Sequence, residues 1–515
     1  MNKCHLYEIT RRNFLKSTAL ASAGINLTVN TSFAASKRKQ QPNILYLMTD
    51  QQRGDCLGCA GNKIIKTPHL DSIAKDGVVF SNAYSSTPSC TPARSALLTG
   101  LSPWHHGMLG YGRVADVYPF ELPQALRNAG YYLFGIGKMH WYPQRKLRGY
   151  DGILLDESGR SETPGFVSDY RHWFKQQAPE LDPDATGIGW NDYRAKTYAL
   201  PEHLHPTKWT ADRAVDFIEK YNRSKPFLLK VSFARPHSPY DPPKRFMDMY
   251  SEEEMPNPYI GDWADMYAEH KDPPNASLWH GDLGIRQAKK SRRGYYASIT
   301  FIDEQIGRIL ESLKKRDMYD NTLIIFFSDH GDMLGDHHLW RKTYAYEASA
   351  KIPMLLRWPV SMGMNHQRGN KITLPVELRD VLPTFLDAAG APVPNHLDGK
   401  SMLELVRGNT KNWRQLIDLE HSMCYNKDHW NALTDGRFKY IYYAYEGREQ
   451  LFDLTKDPGE LYDLAVESSH KSILRKWRHR MIEHLSERGE QFVSNGKLAL
   501  RKKRLLYSPH FPKKN

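Results

Sequence analysis

The sequence predicts an α/β fold built on a large, mostly parallel sheet flanked by helices. Short apolar runs alternate with helical periodicities, and each run stops at a group of polar residues. Residues 43–48 read Asn-Ile-Leu-Tyr-Leu-Met and end at Thr49, Asp50, Gln51 and Gln52, which fits a short buried strand. A second run, 322–327, ends at Ser328, Asp329, His330 and Gly331. Two more, 131–136 and 227–233, lead into Gly137-Lys138-Met139-His140 and Arg235-Pro236-His237. Between the runs, residues 123–129, 209–221 and 295–314 place apolar side chains three and four apart, the spacing of a helix with one buried face.

In such a sheet the polar residues just past the strand ends share one crevice. Asp50, Gln51, Asp329 and His330 all occupy that position, so they are candidates to converge on one cation. Their carboxylate and amide oxygens suit a hard ion such as calcium. Taken singly, each Asp would serve equally as a cap or turn residue. Lys138 and His140 are two apart, so they point to one side if the strand runs through them.

A chain of 515 residues exceeds the usual single domain, and a large domain with an appendage is expected. Beyond about Pro394 the pattern changes to two β-rich runs around Thr434-Asp435-Gly436, a hairpin signal, and a terminal helix over 472–485. This gives a main domain over 35–394 and a small α+β subdomain with an antiparallel sheet over 395–515. Residues 1–34 form an export signal. Thr10-Arg11-Arg12-Asn13-Phe14-Leu15-Lys16 has a twin-arginine pattern, a mildly apolar stretch follows, and Ser32-Phe33-Ala34 offers a cleavage site after Ala34. An ordinary secretory signal is the alternative, and either one places the protein in the periplasm, on the cell surface or outside the cell. No other segment has the apolar length that a membrane span requires.

The formal charge is +13, which favours anionic partners such as a sulfated polymer or a nucleic acid. Arg501-Lys502-Lys503-Arg504 reads as a solvated basic end. Five cysteines do not make a disulfide framework. Cys56 and Cys59 have redox-like spacing without a βαβ context, and they read as loop and core packing.

The remaining chemistry centres on Cys90-Thr91-Pro92-Ala93-Arg94-Ser95-Ala96-Leu97-Leu98-Thr99-Gly100. Pro92 suits a first helical turn, and Arg94, four residues after Cys90, can turn its guanidinium back to bind an anion there. Cysteine at a helix start is otherwise ordinary core packing. The complete string resembles the signature of the type I sulfatases, in the alkaline phosphatase superfamily. That resemblance implies that a sulfatase-maturing enzyme oxidises Cys90 to formylglycine, whose hydrate attacks the sulfur of a sulfate ester.

The family's other motifs match Lys138 and His140, then His237, then Lys342, and the resemblance runs from about residue 41 to 464. It implies a metal held by Asp50, Gln51, Cys90 as formylglycine, Asp329 and His330. Many sulfatases have aspartate at the place of Gln51 and asparagine at that of His330, so calcium is expected with magnesium or manganese as alternatives. Arg94, Lys138, His237, Lys342 and the ion screen the charge of the ester. His237 or Lys342 protonates the departing oxygen, His140 is the base that regenerates the aldehyde, and Asp329 orients the nucleophile.

The resemblance therefore implies a sulfatase acting on a sulfated polysaccharide or glycosaminoglycan-derived oligosaccharide, with no nucleic-acid partner. A phosphonate monoester hydrolase or phosphodiesterase of the same superfamily is the alternative, because Gln51 and His330 suit that group. A glycan binder without catalysis would keep Cys90 unmodified. The aromatic stretch 263–279 is expected to lie over the cleft and govern the choice of sugar. His421, His429 and Trp430 pack the small sheet or touch the sugar.

Overall fold

The computed structural model of the protein describes residues 41–422 and 429–512. The expected export signal, with Cys4, and Cys424 lie outside the described residues. An eight-stranded sheet runs in the order Gly152–Leu155, Tyr132–Gly137, Phe227–Pro236, Asn43–Asp50, Thr322–Ser328, Met354–Arg357, Val78–Phe80, Asn370–Ile372. The first five are parallel neighbours, and Met354–Arg357 is antiparallel to both of its own. All four runs expected as strands are in this sheet, where they lie side by side.

The central strands are apolar on both faces because both are covered. Ile44, Tyr46 and Met48 pack with Ala93 and Leu97 of the helix Cys90–Thr99 and with Phe385 of Val381–Ala388. Leu45 and Leu47 pack on the opposite side with Ala211 and Ile218 of Pro206–Lys220 and Ile302 and Ile306 of Gly284–Lys315. These last two are the expected helices, each longer at its start than the periodicity showed.

The strand Tyr132–Gly137 stops for a steric reason. Gly137 has φ +91, and a Cβ there would lie 2.1 Å from the Ser232 carbonyl oxygen. Only glycine fits this conformation and this approach. The chain leaves the sheet before Lys138, so the expectation that Lys138 and His140 share a strand face is not met. His140 itself has φ 58.

The four strands Ile417–His421, Trp430–Thr434, Phe438–Tyr443 and Arg448–Asp453 form an antiparallel meander. Asp435 accepts the Phe438 amide at 2.7 Å in the expected hairpin turn. One face buries Tyr440, Tyr442 and Leu451 against Trp477 and Met481 of the helix Lys471–Leu485. The other face, with Leu419, Ile441 and Phe452, packs on Tyr84, Trp263 and Tyr346, so the described residues of both sheets belong to one compact unit.

The basic end departs from its expected solvated state at Arg501. Its guanidinium donates to Asn431 Oδ1 at 2.6 Å and lies over Phe492, while Lys502 and Lys503 are exposed. Cys56 and Cys59 are unpaired, and Cys56 lies in the core. Among the described residues no helix is long and apolar enough to cross a membrane.

Candidate active site

Cys90 opens the helix Cys90–Thr99, with Ser89 as its N-cap, and points at the ends of the central strands. Its Sγ lies 3.3 Å from His330 Nε2 and 3.7 Å from Asp50 Oδ1. Lys138 Nζ and Lys342 Nζ are each 3.6 Å from the same sulfur. Burial and Asp50 push the thiol up, but Lys138, Lys342 and His330 outweigh them and bring it down to about 7. Position 90 is thus a buried point where negative charge is stabilised.

Asp50, Cys90, Asp329 and His330 offer ligand atoms within 4.8 Å of one another, all buried. His330 Nδ1 donates to the Gly331 carbonyl at 2.9 Å, which leaves Nε2 facing the carboxylates. Burial opposes charge on this imidazole, yet Asp329 and Cys90 raise it above its ordinary value. A donor set that draws a proton onto a buried histidine fits a cation. Gln51 stands beside this group, held in a left-handed conformation at φ 68. Its Oε1 accepts from Lys342 Nζ at 2.7 Å, and its Nε2 donates to Asp332, a residue with no sequence signal of its own.

Arg94 does not serve the free anion-binding role that its spacing suggested. Its Nε donates to Asp329 at 3.1 Å, and its two terminal nitrogens donate to Asp50 at 3.1 Å, the Lys138 carbonyl at 2.7 Å and Ser232 at 3.2 Å. With every nitrogen committed, it positions the carboxylates. Lys138, by contrast, ion-pairs with Asp50 and reaches Cys90. Burial raises the Asp50 carboxyl, but Lys138, His237, Arg94 and Lys342 hold it well below the usual range.

His237 follows the strand Phe227–Pro236. Its Nδ1 bonds the Ser238 carbonyl at 2.9 Å and its Nε2 meets Lys342 Nζ at 2.7 Å. Burial, then Lys342, push it well below its ordinary value, so a neutral imidazole accepts a hydrogen bond from the lysine. Burial also lowers Lys342. His140 lies against Arg160, with Nδ1 at 2.8 Å from its guanidinium. Burial first, then Arg160 and Lys138, hold this imidazole well below its usual value. The imidazole is therefore held neutral, with both ring nitrogens against the Arg160 guanidinium.

A cleft of about 340 Å³ opens above Cys90. His140 and Lys342 line it together with Tyr111, Arg160, Trp190 and Arg341, which sequence reasoning did not single out. Trp190 stacks on His237 with ring centroids 3.8 Å apart. The stretch 263–279 reaches the cleft only at its end. Trp279 lines it, whereas Trp263 stacks on Tyr346 and donates to the Glu460 carbonyl.

His421 and Trp430 pack and do not face the cleft, yet both brace it. His421 Nε2 lies 2.9 Å from Ser89 Oγ, next to Cys90, and Trp430 Nε1 donates to the Thr343 carbonyl, next to Lys342. His429 is buried. Around the cleft, Gln51, His140, Asn191, Arg341 and the β-branched Thr343 all have positive φ between 58 and 83. Strain of this kind, about 1–3 kcal/mol per residue, persists where the surroundings over-determine the backbone.

A nucleophile position ringed by ammonium groups, beside paired carboxylates at strand ends, defines a hydrolase of anionic esters on an alkaline phosphatase-like fold. Residues 42–391 match the sulfatase family model, and residues 335–487 match the C-terminal model of N-sulphoglucosamine sulphohydrolase. An arylsulfatase of Clostridium perfringens (strain 13 / Type A) is 37% identical over 470 residues, which span 89% of this chain and 97% of that one. The phosphonate monoester hydrolase of Agrobacterium radiobacter superposes with a TM-score of 0.74 at 24% identity, covering 87% of this chain and 96% of that one. A protein solved with its substrate D-glucosamine-2-N,6-O-disulfate gives 0.69 at 22% identity, covering 87% and 98%. These two structures share the fold. The chain belongs to the sulfatase family, the hydrolases of sulfate esters.

Proposed function

We propose that this sulfatase removes sulfate from a sulfated carbohydrate, a polysaccharide or a glycosaminoglycan-derived oligosaccharide, after export and after a maturing enzyme has converted Cys90 to formylglycine. Asp50, Gln51, Asp329, His330 and the residue at position 90 would hold the ion, calcium in preference to magnesium or manganese, because oxygen donors predominate. Formylglycine supplies the nucleophilic hydroxyl, and the ion supplies positive charge beside it. We assign residues 1–34 to the signal, 35–394 to the catalytic domain and 395–515 to the small subdomain.

The observation that carries this reading is the pair of ammonium groups, each 3.6 Å from Cys90 Sγ. Lys138 and Lys342 would bind sulfate oxygens and offset the charge that repels a nucleophile. As the bond from sulfur to the leaving oxygen breaks, that oxygen takes a proton from the Lys342–His237 pair, while Asp329, beside position 90, takes up the proton of the attacking hydroxyl. His140, kept neutral, removes the proton of the remaining hydroxyl so that sulfate leaves and the aldehyde returns. Arg94 positions Asp50 and Asp329. For the leaving group, Trp190 and Trp279 offer apolar walls and Asn191 Oδ1 is a buried acceptor with no partner among the described residues, a combination suited to a sugar with hydroxyls on its edge.

The test is a panel of defined sulfated oligosaccharides given to matured protein, with released sulfate measured and products assigned by position. Turnover of at least one sugar sulfate, absent in Cys90→Ala, is expected. Cleavage of aryl sulfates with no cleavage of any sugar sulfate would overturn the carbohydrate assignment.

A further inference from the structure

Arg341 is a half-buried guanidinium with no carboxylate within 4.0 Å among the described residues. It lines the cleft above Cys90, lies 3.6 Å over the Trp279 ring, and makes one hydrogen bond, from a terminal nitrogen to the Ser277 carbonyl at 3.0 Å. Its Nε is buried without an acceptor. The other arginine of the cleft differs. Arg160 ion-pairs with Glu157 at 2.8 Å and bonds His140, so its charge is already answered within the protein.

Keeping a guanidinium partly out of water without an anion is costly, and natural sequences ordinarily pair it or expose it. Here the surroundings prevent exposure. The backbone of Arg341 is in the left-handed region at φ 68, and the stack on Trp279 fixes the plane of the fork. No Asp or Glu lines this cleft, so an anion entering with the substrate meets no repulsion from its walls. The ester sulfate at position 90 is already served by Lys138 and Lys342, which leaves Arg341 over.

We propose that Arg341 is a specificity-determining residue that binds a second anionic group of the substrate, a sulfate or carboxylate, so that the preferred substrate carries at least two negative charges. This deepens the sulfated-carbohydrate reading and rests on it for the scaffold, but the claim about charge is separate. A planar fork held on an aromatic ring suits bidentate binding of an oxyanion. The same cation makes the cleft unfavourable to a leaving group that carries a positive charge.

Binding to Cys90→Ala protein, measured by calorimetry, tests this without turnover. The ligands are N-acetylglucosamine 3-O- and 6-O-monosulfates with the 3,6-O-disulfate, and an aryl sulfate with and without a carboxylate on its ring. At least one dianion should bind about 10- to 100-fold more tightly than its monoanionic parents. Arg341→Gln should erase that advantage while changing monoanion binding by less than about threefold, and Arg341→Lys should retain part of it because charge survives without the fork. Equal loss for monoanions and dianions in Arg341→Gln, or no dianion advantage on either scaffold, would overturn the proposal. An Arg341-dependent advantage on the aryl pair with no sugar binding would support it while removing the carbohydrate reading.

Discussion

Lys342 Nζ lies 2.7 Å from His237 Nε2, and in the proposed mechanism the two side chains act as one proton-carrying unit. Burial and Lys342 together keep the imidazole neutral, so the shared proton resides on the lysine, beside position 90. Loss of either member should lower kcat/KM on a sugar sulfate by about 100-fold or more. It should matter less for a nitrophenyl sulfate, whose leaving oxygen needs little protonation. The double variant His237→Ala/Lys342→Ala should be scarcely worse than the single ones, because groups acting as a unit are not additive. Additive losses, equal for both leaving groups, would separate the pair.

Asp329 carries two loads, as a member of the carboxylate group and as the partner of Arg94 Nε at 3.1 Å. Asp329→Ala should therefore lose bound metal and activity together, and chelation of the native protein should abolish activity until calcium is restored. Full metal occupancy in the variant, by elemental analysis, would remove Asp329 from the metal site.

Sulfate monoesters present three non-bridging oxygens, and the phosphorus esters of related hydrolases present two. With Lys138 and Lys342 both at 3.6 Å from Cys90 Sγ, losing one acceptor leaves a cation poorly answered. The matured enzyme should favour a sulfate monoester over a phosphonate monoester or phosphate diester with the same leaving group, measured as kcat/KM for matched aryl and sugar esters. A preference for the phosphorus esters with both leaving groups would show that these lysines do not select for sulfate.

Lys230, in the strand Phe227–Pro236, is buried between Tyr46 and Trp141, at 5.0 and 5.7 Å from their ring centres. Burial, then Arg94, bring its ammonium down to about 7, whereas in the unfolded chain it titrates near about 10.4. Between those values the unfolded state holds the extra proton, so this residue makes stability rise with pH from about 7 to 10. Its penalty is full below pH 7. Lys230→Met should raise stability at pH 7 by about 1–3 kcal/mol and flatten that rise. Urea midpoints at several pH values measure both, and an unchanged slope would mean that Lys230 titrates normally.

The strand runs, the helix opened by Cys90, and the polar residues at strand ends were legible because each depends on local pattern. A fully covered strand must be apolar throughout, and the residues that follow a parallel strand must lie at its carboxyl edge. That is why Asp50, Asp329, His330 and His237 meet where the sequence put them. What each side chain does was decided by contacts between distant segments. Arg94 is spent on Asp50 and Asp329, whereas spacing alone aimed it at an anion. Lys138 and His140 lie beyond the strand because Gly137 fits against the Ser232 carbonyl and ends it. The cleft walls, Trp190, Asn191 and Arg341, sit on loops whose positive-φ backbones are held by tertiary packing, and no periodicity marks such residues. The reacting centre was thus written in short motifs, and the fit for the leaving group arose only when separate loops were folded over it.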